Sequence, residues 1–502
     1  MKTILQSCLK KTRTRSPRHC ALASVVSLCD ELRSHHRIMK LPLSIFAAGI
    51  GLIATTLSSR AQPGAVDTNF NASLNSGAQA YAVAVQTNGQ ILIGGLFRSV
   101  GGVTRTNVAR LNPNGSLDAS FNGGTVADYA GSYVSAIEVQ PDGKILLGGS
   151  FASSTFATPY NIARLNTNGT PDAGFDVNLY VDNAVNVVRV LTNGQIVIGG
   201  AFVYVDGLLR RSVARLNANG TLDSSFDACV AASSGAGATG LSVLSNGQLL
   251  VSGTFSFSTG TSRDGVARLN SNGDLDNTYA APLDVDLTGS AYSLICRSNG
   301  TALLGGSFGA FHGTPGRGLV QVTTNGIPDS GFTVGSGINA GGTNFAMLLQ
   351  PDGKVIIGGD FTNYNGVARS RVARINSDGS LDPLFSAGSG ANDAVSAFAL
   401  QSDGKILVAG KFSSVNGVSR IGIVRLKGDP KSHLDSPTRL GGGQFQFKFH
   451  GDDQIPYAIQ ASSNLLNWDA ITNFTSGTNA VTILDTNAPS ISRRFYRAAY
   501  PP

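Results

Sequence analysis

Tryptophan and cysteine are scarce in this chain, and charge is thin. Among 502 residues there is one tryptophan, and Asp, Glu, Lys and Arg together make up 14%. Glycine, in contrast, numbers 62. That profile fits a turn-rich β protein better than a helical one. Of five cysteines, three (Cys8, Cys20, Cys29) stand before residue 30. Cys229 and Cys296 remain, and two isolated cysteines make no disulfide framework. Histidine is just as sparse: beyond residue 62 there are only His312, His433 and His450. No pair of these has metal-ligand spacing, so neither a metal nor a cofactor is expected. A Ser-His-Asp triad would need His312, and no nucleophile elbow is present. No glycine loop leads into a helix, which leaves no phosphate cradle.

The basic balance is local. Residues 1–62 hold ten of the 38 Lys/Arg and two of the 31 Asp/Glu, leaving 28 against 29 and a net charge of −1. The remainder is neutral, so bulk charge offers nothing to nucleic acid or an anionic membrane. The basic segment reads as a leader, residues 1–61. Met39-Lys40 precedes an apolar run from Leu41 to Leu57, and small residues at Ser59 and Ala61 suit cleavage after Ala61. Met39 is the expected true start. The competing reading is a membrane anchor, but the run contains Pro42 and Ser44 and is marginal for a span of about 20 residues. No membrane span is expected after cleavage.

Beyond the leader, one phrase recurs: NGQILIGGLF (88–97), DGKILLGGSF (142–151), NGQIVIGGAF (193–202), NGQLLVSGTF (246–255), NGTALLGGSF (299–308), DGKVIIGGDF (352–361) and DGKILVAGKF (403–412). A second phrase follows, as VARLNPNGSLDASF (108–121), with counterparts ending at Phe175, Phe226, Tyr279, Phe332 and Phe385. Asn-Gly or Asp-Gly between apolar runs is a strong hairpin signal. Each unit therefore reads as four short strands, A to D. The expected fold is all-β: a seven-bladed β-propeller of four-stranded antiparallel blades. A β-solenoid is the competing architecture.

The C–D hairpin can be registered. Leu111 opposes Leu117, and Arg110 opposes Asp118. The Arg/Asp pair recurs as Arg164/Asp172, Arg215/Asp223, Arg268/Asp276 and Arg374/Asp382, with Gln321/Asp329 as the exception. A carboxylate ring for metal is one reading. A cross-strand ion pair guarding outer strands is the other. The last unit has Arg425 but no Asp eight residues on, while AVDTNF (65–70) stands before the first strand A. Strand 65–70 is therefore predicted to pair with 421–427 as an N-terminal outer strand, with Asp67 opposite Arg425 as a structural clasp.

These phrases resemble the delta-60 repeat family of bacterial β-propellers across residues 65–428. The resemblance implies a propeller in exported or surface-associated proteins and implies no defined activity. Unit five departs most, with LVQVTTNGIPD in place of VARLN-type sequence.

Residues 429–443 read as a linker. Residues 444–502 alternate (QFQFKF, YAIQAS, AVTILD) and suggest a small antiparallel β-sandwich-like domain. YAIQASSNLLNWDAITN (457–473) with RRFYR (493–497) resembles a fibronectin-type-like module of secreted bacterial proteins. Trp468 is read as a core residue of that domain, a sugar-stacking platform being the alternative.

The A–B and C–D turns are short and alike, whereas D–A connectors and B–C loops vary on the opposite face. Binding belongs on variable loops of a rigid scaffold. The candidate contact residues are Tyr129, Tyr133, Tyr180, Arg210, Arg317 and Tyr364. Arginines end six B–C loops (Arg105, Arg210, Arg263, Arg317, Arg369, Arg420) and either form a basic ring or cap their own loops. The expected function is a secreted or cell-surface binding or scaffold protein, monomeric and non-catalytic, engaging a protein or glycan. The alternatives are an extracellular carbohydrate-active hydrolase or lyase using loop carboxylates such as Asp284 and Asp286, and a propeller resembling the chromosome-condensation regulators. The nuclear role of the latter conflicts with the leader.

Overall fold

The computed structural model describes residues 62–500, apart from 124–126, 128–130, 152–160, 176–178, 229, 232–236, 255, 258–264, 280–289, 312–313, 316, 340, 453–454 and 489–493. The leader, the cleavage position at Ala61, Tyr129, His312, Asp284 and Asp286 lie outside the described residues. The chain is all-β, and among the described residues no helix is long and apolar enough to cross a membrane.

The repeats fold as seven three-stranded antiparallel sheets among the described residues. In the first, Gln79–Val85 pairs with Ile91–Leu96, which pairs with Val108–Leu111. The middle strand of every unit is almost wholly apolar and buried, as in Ile196–Gly200 and Val355–Gly359. A strand covered on both faces needs an unbroken apolar run rather than alternation, and the ILIGG-type phrase supplies it. The turns leading into these strands place one glycine each at φ between 82° and 85° (Gly89, Gly143, Gly194, Gly247, Gly300, Gly353, Gly404), a conformation that costs glycine little.

The Gly-Gly pairs have a second cause. Opposite them each first strand slips register, as between Ala80/Ala82 and Val134/Ala136. The slip presses a carbonyl against the second glycine. A Cβ on Gly95, Gly149, Gly200, Gly253, Gly306, Gly359 or Gly410 would run into the backbone oxygen of Gln79, Tyr133, Ala184, Gly237, Ser290, Thr343 or Ala394 respectively.

The expected fourth strands are reduced to single bridges: Leu111↔Leu117, Leu165↔Pro171, Leu216↔Leu222, Leu269↔Leu275, Val322↔Pro328 and Ile375↔Leu381. The ladder stops there because the next residue, an aspartate, turns the chain. Asp118 Oδ1 accepts from Ser120 N at 2.9 Å, and Phe121 N donates to Asp118 O. Such Asx turns compete with a strand ladder.

Neighbouring sheets touch through their first strands in chain order, and Val395–Leu400 of the seventh lies against Gln79–Val85 of the first. The segment before the first sheet joins the last. Val66 bridges Leu426, Asp67 N donates to Arg425 O at 2.8 Å, Lys427 N donates to Ala65 O at 2.8 Å, and Leu74 N donates to Ile421 O at 3.0 Å. Val66 accordingly packs in one apolar cluster with Ile406, Val408, Val424 and Leu426.

The C-terminal residues form two further three-stranded sheets. Ser432–Arg439, Phe445–Gly451 and Val481–Asp485 make one; Asp469–Thr475, Pro456–Ser462 and Phe495–Ala499 make the other. Their core holds Phe447, Phe449, Ile455, Tyr457, Ile459 and Ile483. Two expectations are corrected here. Residues 432–439, read as linker, are an edge strand; with its outer face in water it needs few apolar residues, and Leu434 alone packs against the core. Trp468 is not in the core. It is half-buried at the surface, its indole N–H donating to Leu465 O at 3.3 Å, with the Arg497 guanidinium carbon 4.2 Å from the ring centroid.

Candidate functional site

The recurring Arg and Asp belong to the architecture. Arg110 Nε donates to Asp118 Oδ2 at 2.7 Å, and the pairs Arg164/Asp172, Arg215/Asp223, Arg268/Asp276 and Arg374/Asp382 repeat this at 2.7–2.8 Å. These side chains are buried or nearly so, which departs from the expected guard at an outer edge. The reason is the second arm of each guanidinium. Arg110 reaches the Thr167 carbonyl, Arg164 that of Ala218, Arg215 that of Ser271 and Arg268 that of Thr324, each in the next unit's turn. Each arginine therefore ties two neighbouring units. Burial raises the carboxyls of Asp172, Asp223 and Asp276, but hydrogen bonds from hydroxyl, ammonium, guanidinium and backbone donors together outweigh it and hold all three down at about 2.

The aromatic closing each second phrase lies under the same arginine. Guanidinium carbons stand 4.7–4.9 Å from the rings of Phe121, Phe175, Phe226, Tyr279 and Phe385, and Arg425 stands 4.8 Å from that of Phe70. Such contacts contribute about 0.5–2 kcal/mol each. A constant Arg-to-aromatic spacing was the available signal. The clasp residues Asp67 and Arg425 meet with Arg425 Nε at 2.9 Å from Asp67 Oδ2.

The opposite side of the repeats carries short hairpins between second and third strands: Ser99–Val100 with Val103–Thr104, Tyr204–Val205 with Leu208–Leu209, Asn363–Tyr364 with Val367–Ala368, and Ser414–Val415 with Val418–Ser419. Connectors between units bridge onto them, at Leu74↔Val100, Val181↔Val205, Ile338↔Tyr364 and Ala391↔Val415. The bridged position points inward in each hairpin and is buried.

That register corrects Tyr364 as a contact residue. It occupies the inward position held elsewhere by Val100, Val205 and Val415, and its hydroxyl donates to Gly379 O at 2.6 Å. Arg210 turns back onto its own hairpin, donating to Leu209 O at 2.8 Å and Ser224 O at 3.3 Å. Arg105, Arg369 and Arg420 likewise donate to the carbonyl before them, so these arginines cap loops. Arg317 is exposed. Tyr133 packs edge-on against Tyr81 with ring centroids 5.7 Å apart.

Tyr180 remains at the surface in company that sequence reading missed. Its amide donates to Asp206 Oδ1 at 2.8 Å, which fixes it beside the hairpin 204–209. There Tyr180 is 38% exposed, Tyr204 45%, Leu208 49% and Leu209 48%. The matching positions of the first hairpin are Ser99, Val103 and Thr104; those of the seventh unit are Ser414, Val418 and Ser419. Aligning hairpins unit by unit would have exposed the third as the apolar one.

In the C-terminal domain, His433 and His450 are directly opposed across two strands. Their separation along the chain gave no ligand spacing, yet the fold brings both beside Asp435.

Repeated sheets with a buried glycine-bearing middle strand, tied unit to unit, are consistent with a β-propeller. The comparisons support a β-propeller family: residues 86–121, 140–175, 191–226, 244–279, 350–385 and 401–429 match the model described as "domain of unknown function (DUF5122) beta-propeller". Unit five, where Gln321 replaces arginine, is not among the matched segments. No curated protein matches the chain. Among solved structures, a catalytically inactive virginiamycin B lyase from Staphylococcus aureus with quinupristin shares 12% identity, covering 70% of this chain and 96% of its own at a TM-score of 0.40. A mannose phosphorylase from Leishmania mexicana in complex with phosphate shares 15%, covering 58% and 98% at a TM-score of 0.24. Likenesses this distant do not bear on activity.

Proposed function

We propose that this is an exported, non-catalytic binding protein that engages a partner through the hairpin side of a seven-bladed propeller. The observation that carries the reading is the exposed apolar set Tyr204, Leu208 and Leu209 on one hairpin, with Tyr180 tied beside it. Exposed aromatic and aliphatic side chains grouped in one place mark interaction sites more often than single ones do. Two leucines beside two tyrosines favour a protein surface over a glycan, for which stacking tyrosines alone would serve.

The seven-bladed reading draws on the order in which first strands meet, and on residues 64–74 joining the last sheet. On this reading the bridged segments after each third strand are abbreviated fourth strands, and residues 65–70 supply the one missing from the last blade. The phrases DGKILVAGKF and VARINSDGSLDPLF support a delta-60 repeat relationship. The two small C-terminal sheets suit a fibronectin-type-like module, and the apolar run at 41–57 supports export.

The test compares the wild-type chain with a Tyr204→Ser/Leu208→Ser/Leu209→Ser variant against cell-envelope proteins and a glycan array. A protein retained by the first and lost by the second is the expected result. Equal retention by both, glycan binding alone, or turnover of a glycan would each overturn the reading.

A further inference from the structure

We propose that His433, Asp435 and His450 form a site for one divalent transition-metal ion of the Zn2+ or Ni2+ type. The placement begins with strand register. Ser432–Arg439 pairs with Phe445–Gly451 so that His433 opposes His450 and Leu434 opposes Phe449. Leu434 and Phe449 belong to the core of the domain. Alternation then turns His433, Asp435 and His450 together onto the outer face.

The side chains converge there. The imidazole rings stack in parallel with centroids 4.6 Å apart. His450 Nε2 lies 2.9 Å from Asp435 Oδ2, and His433 Nε2 lies 3.8 Å from the same oxygen. One potential ligand atom from each of the three residues fits within 4.8 Å of the others. An ion with bonds of about 2.0–2.2 Å holds its donors on the order of 3–3.5 Å apart, so small side-chain rotations complete the contact.

A second observation points the same way. Asp435 Oδ1 is shielded from solvent and has no hydrogen-bond partner, and His450 Nε2, also shielded, has only the Asp435 carboxylate beside it. Buried polar atoms left unpartnered are costly, and a cation held by the three side chains would remove that cost. Lys448 directly opposes Asp435 across the strands, yet the ion-pair contacts of Asp435 are with the two histidines. Two imidazoles and a carboxylate suit Zn2+ or Ni2+, whereas Ca2+ and Mg2+ prefer all-oxygen sites. A bound ion would clip the edge strand 432–439, which leads out of the last repeat, to its neighbour. Three protein ligands on an exposed face leave further coordination positions open to solvent.

The test is calorimetric titration of the full chain with Zn2+, and separately with Ni2+, in a non-chelating buffer. His19, His35, His36 and His312 are also present, so the readout is the difference between variants. His433→Ala, His450→Ala and the nearly isosteric Asp435→Asn should each abolish one binding event or weaken it more than tenfold, while His35→Ala/His36→Ala leaves that event intact. Zn2+ should raise the melting temperature of the wild-type chain and not that of His450→Ala. Unchanged titration in all three site variants, or no binding by the wild-type chain, would overturn the site. Circular dichroism of the metal-free variants checks that they fold, and Asp435→Asn decides the matter if either alanine variant does not.

Discussion

Arg425 and Asp67 are 358 residues apart in the chain, and Arg425 Nε donates to Asp67 Oδ2 at 2.9 Å. Both side chains are buried, and the guanidinium also reaches Pro113 O at 2.6 Å in the first unit and stacks on Phe70. One arginine thus gathers the last sheet, the leading segment and the first sheet. Removing one partner of a buried pair leaves an uncompensated charge and costs about 3–5 kcal/mol. Asp67→Ala should therefore lower the urea midpoint strongly, and Arg425→Ala on top of it should add much less than it costs alone. Strict additivity in that cycle would show that the two residues act independently.

The same carboxylates set the response to acid. Asp172, Asp223 and Asp276 titrate at about 2 in the folded chain, and Asp118 and Asp382 are also lowered. Unfolded aspartate titrates near ~3.9. A depressed folded value means stability that is present above the unfolded value and lost as pH falls toward the folded one. The urea midpoint should hold down to about pH 4 and fall steeply between there and pH 2. Asp223→Asn should lower the plateau and flatten part of that fall. A midpoint that already declines between pH 7 and 5 would assign acid sensitivity to other groups.

The two positions that close each middle strand, glycine at both in five units, should differ in tolerance. The first position is Ser252 in one unit and Ala409 in another, so a Cβ can be packed there against the neighbouring first strand. The second is glycine in all seven units, where a Cβ meets a carbonyl oxygen held by the register slip. Gly200→Ala should cost about 1–3 kcal/mol or more as overpacking against backbone, and Gly199→Ala clearly less. Melting temperatures of the two variants measure this. Equal losses would mean the slipped strand yields.

Much of this was legible in the sequence because strand register is arithmetic. Alternation opposed Arg110 to Asp118, and counting units left Asp67 for Arg425. The hairpins at 99–104 and 204–209 were not legible as strands, since two-residue strands carry no period. Tyr364 resembled a surface aromatic because nothing local marks the inward position of so short a hairpin. The edge strand 432–439 is polar apart from Leu434 and so resembled a linker. His433 and His450 were missed because cross-strand neighbours can have any separation along the chain.

Unit five offers a swap that the other units explain. In the sixth and seventh, a glutamine follows the first strand and accepts from the arginine of the third: Gln350 from Arg374 and Gln401 from Arg425, each at 3.4 Å. In unit five the residues are exchanged, with Arg297 following the first strand and Gln321 on the third. Gln321 Nε2 donates to Asp329 Oδ2 at 2.7 Å, while Arg297 reaches Gly353 O at 2.8 Å in the next unit. The tie between units is kept by an arginine that enters from the other strand. Burial lowers the Arg297 pKa against the opposing pull of Asp329, and the guanidinium stays charged, so the carboxylate offsets part of the cost of burying it. Arg297→Gln should leave Asp329 facing amides alone and cost about 1.5–3 kcal/mol, as for a lost hydrogen bond to a charged group. Gln321→Arg alone should crowd two guanidiniums onto one carboxylate and also destabilise. The double exchange rebuilds the arrangement of the other units and should recover most of the loss, a coupling of about 0.5–3 kcal/mol in denaturant unfolding. If the double variant is instead as unstable as the two losses added together, Arg297 is not the displaced partner of Asp329.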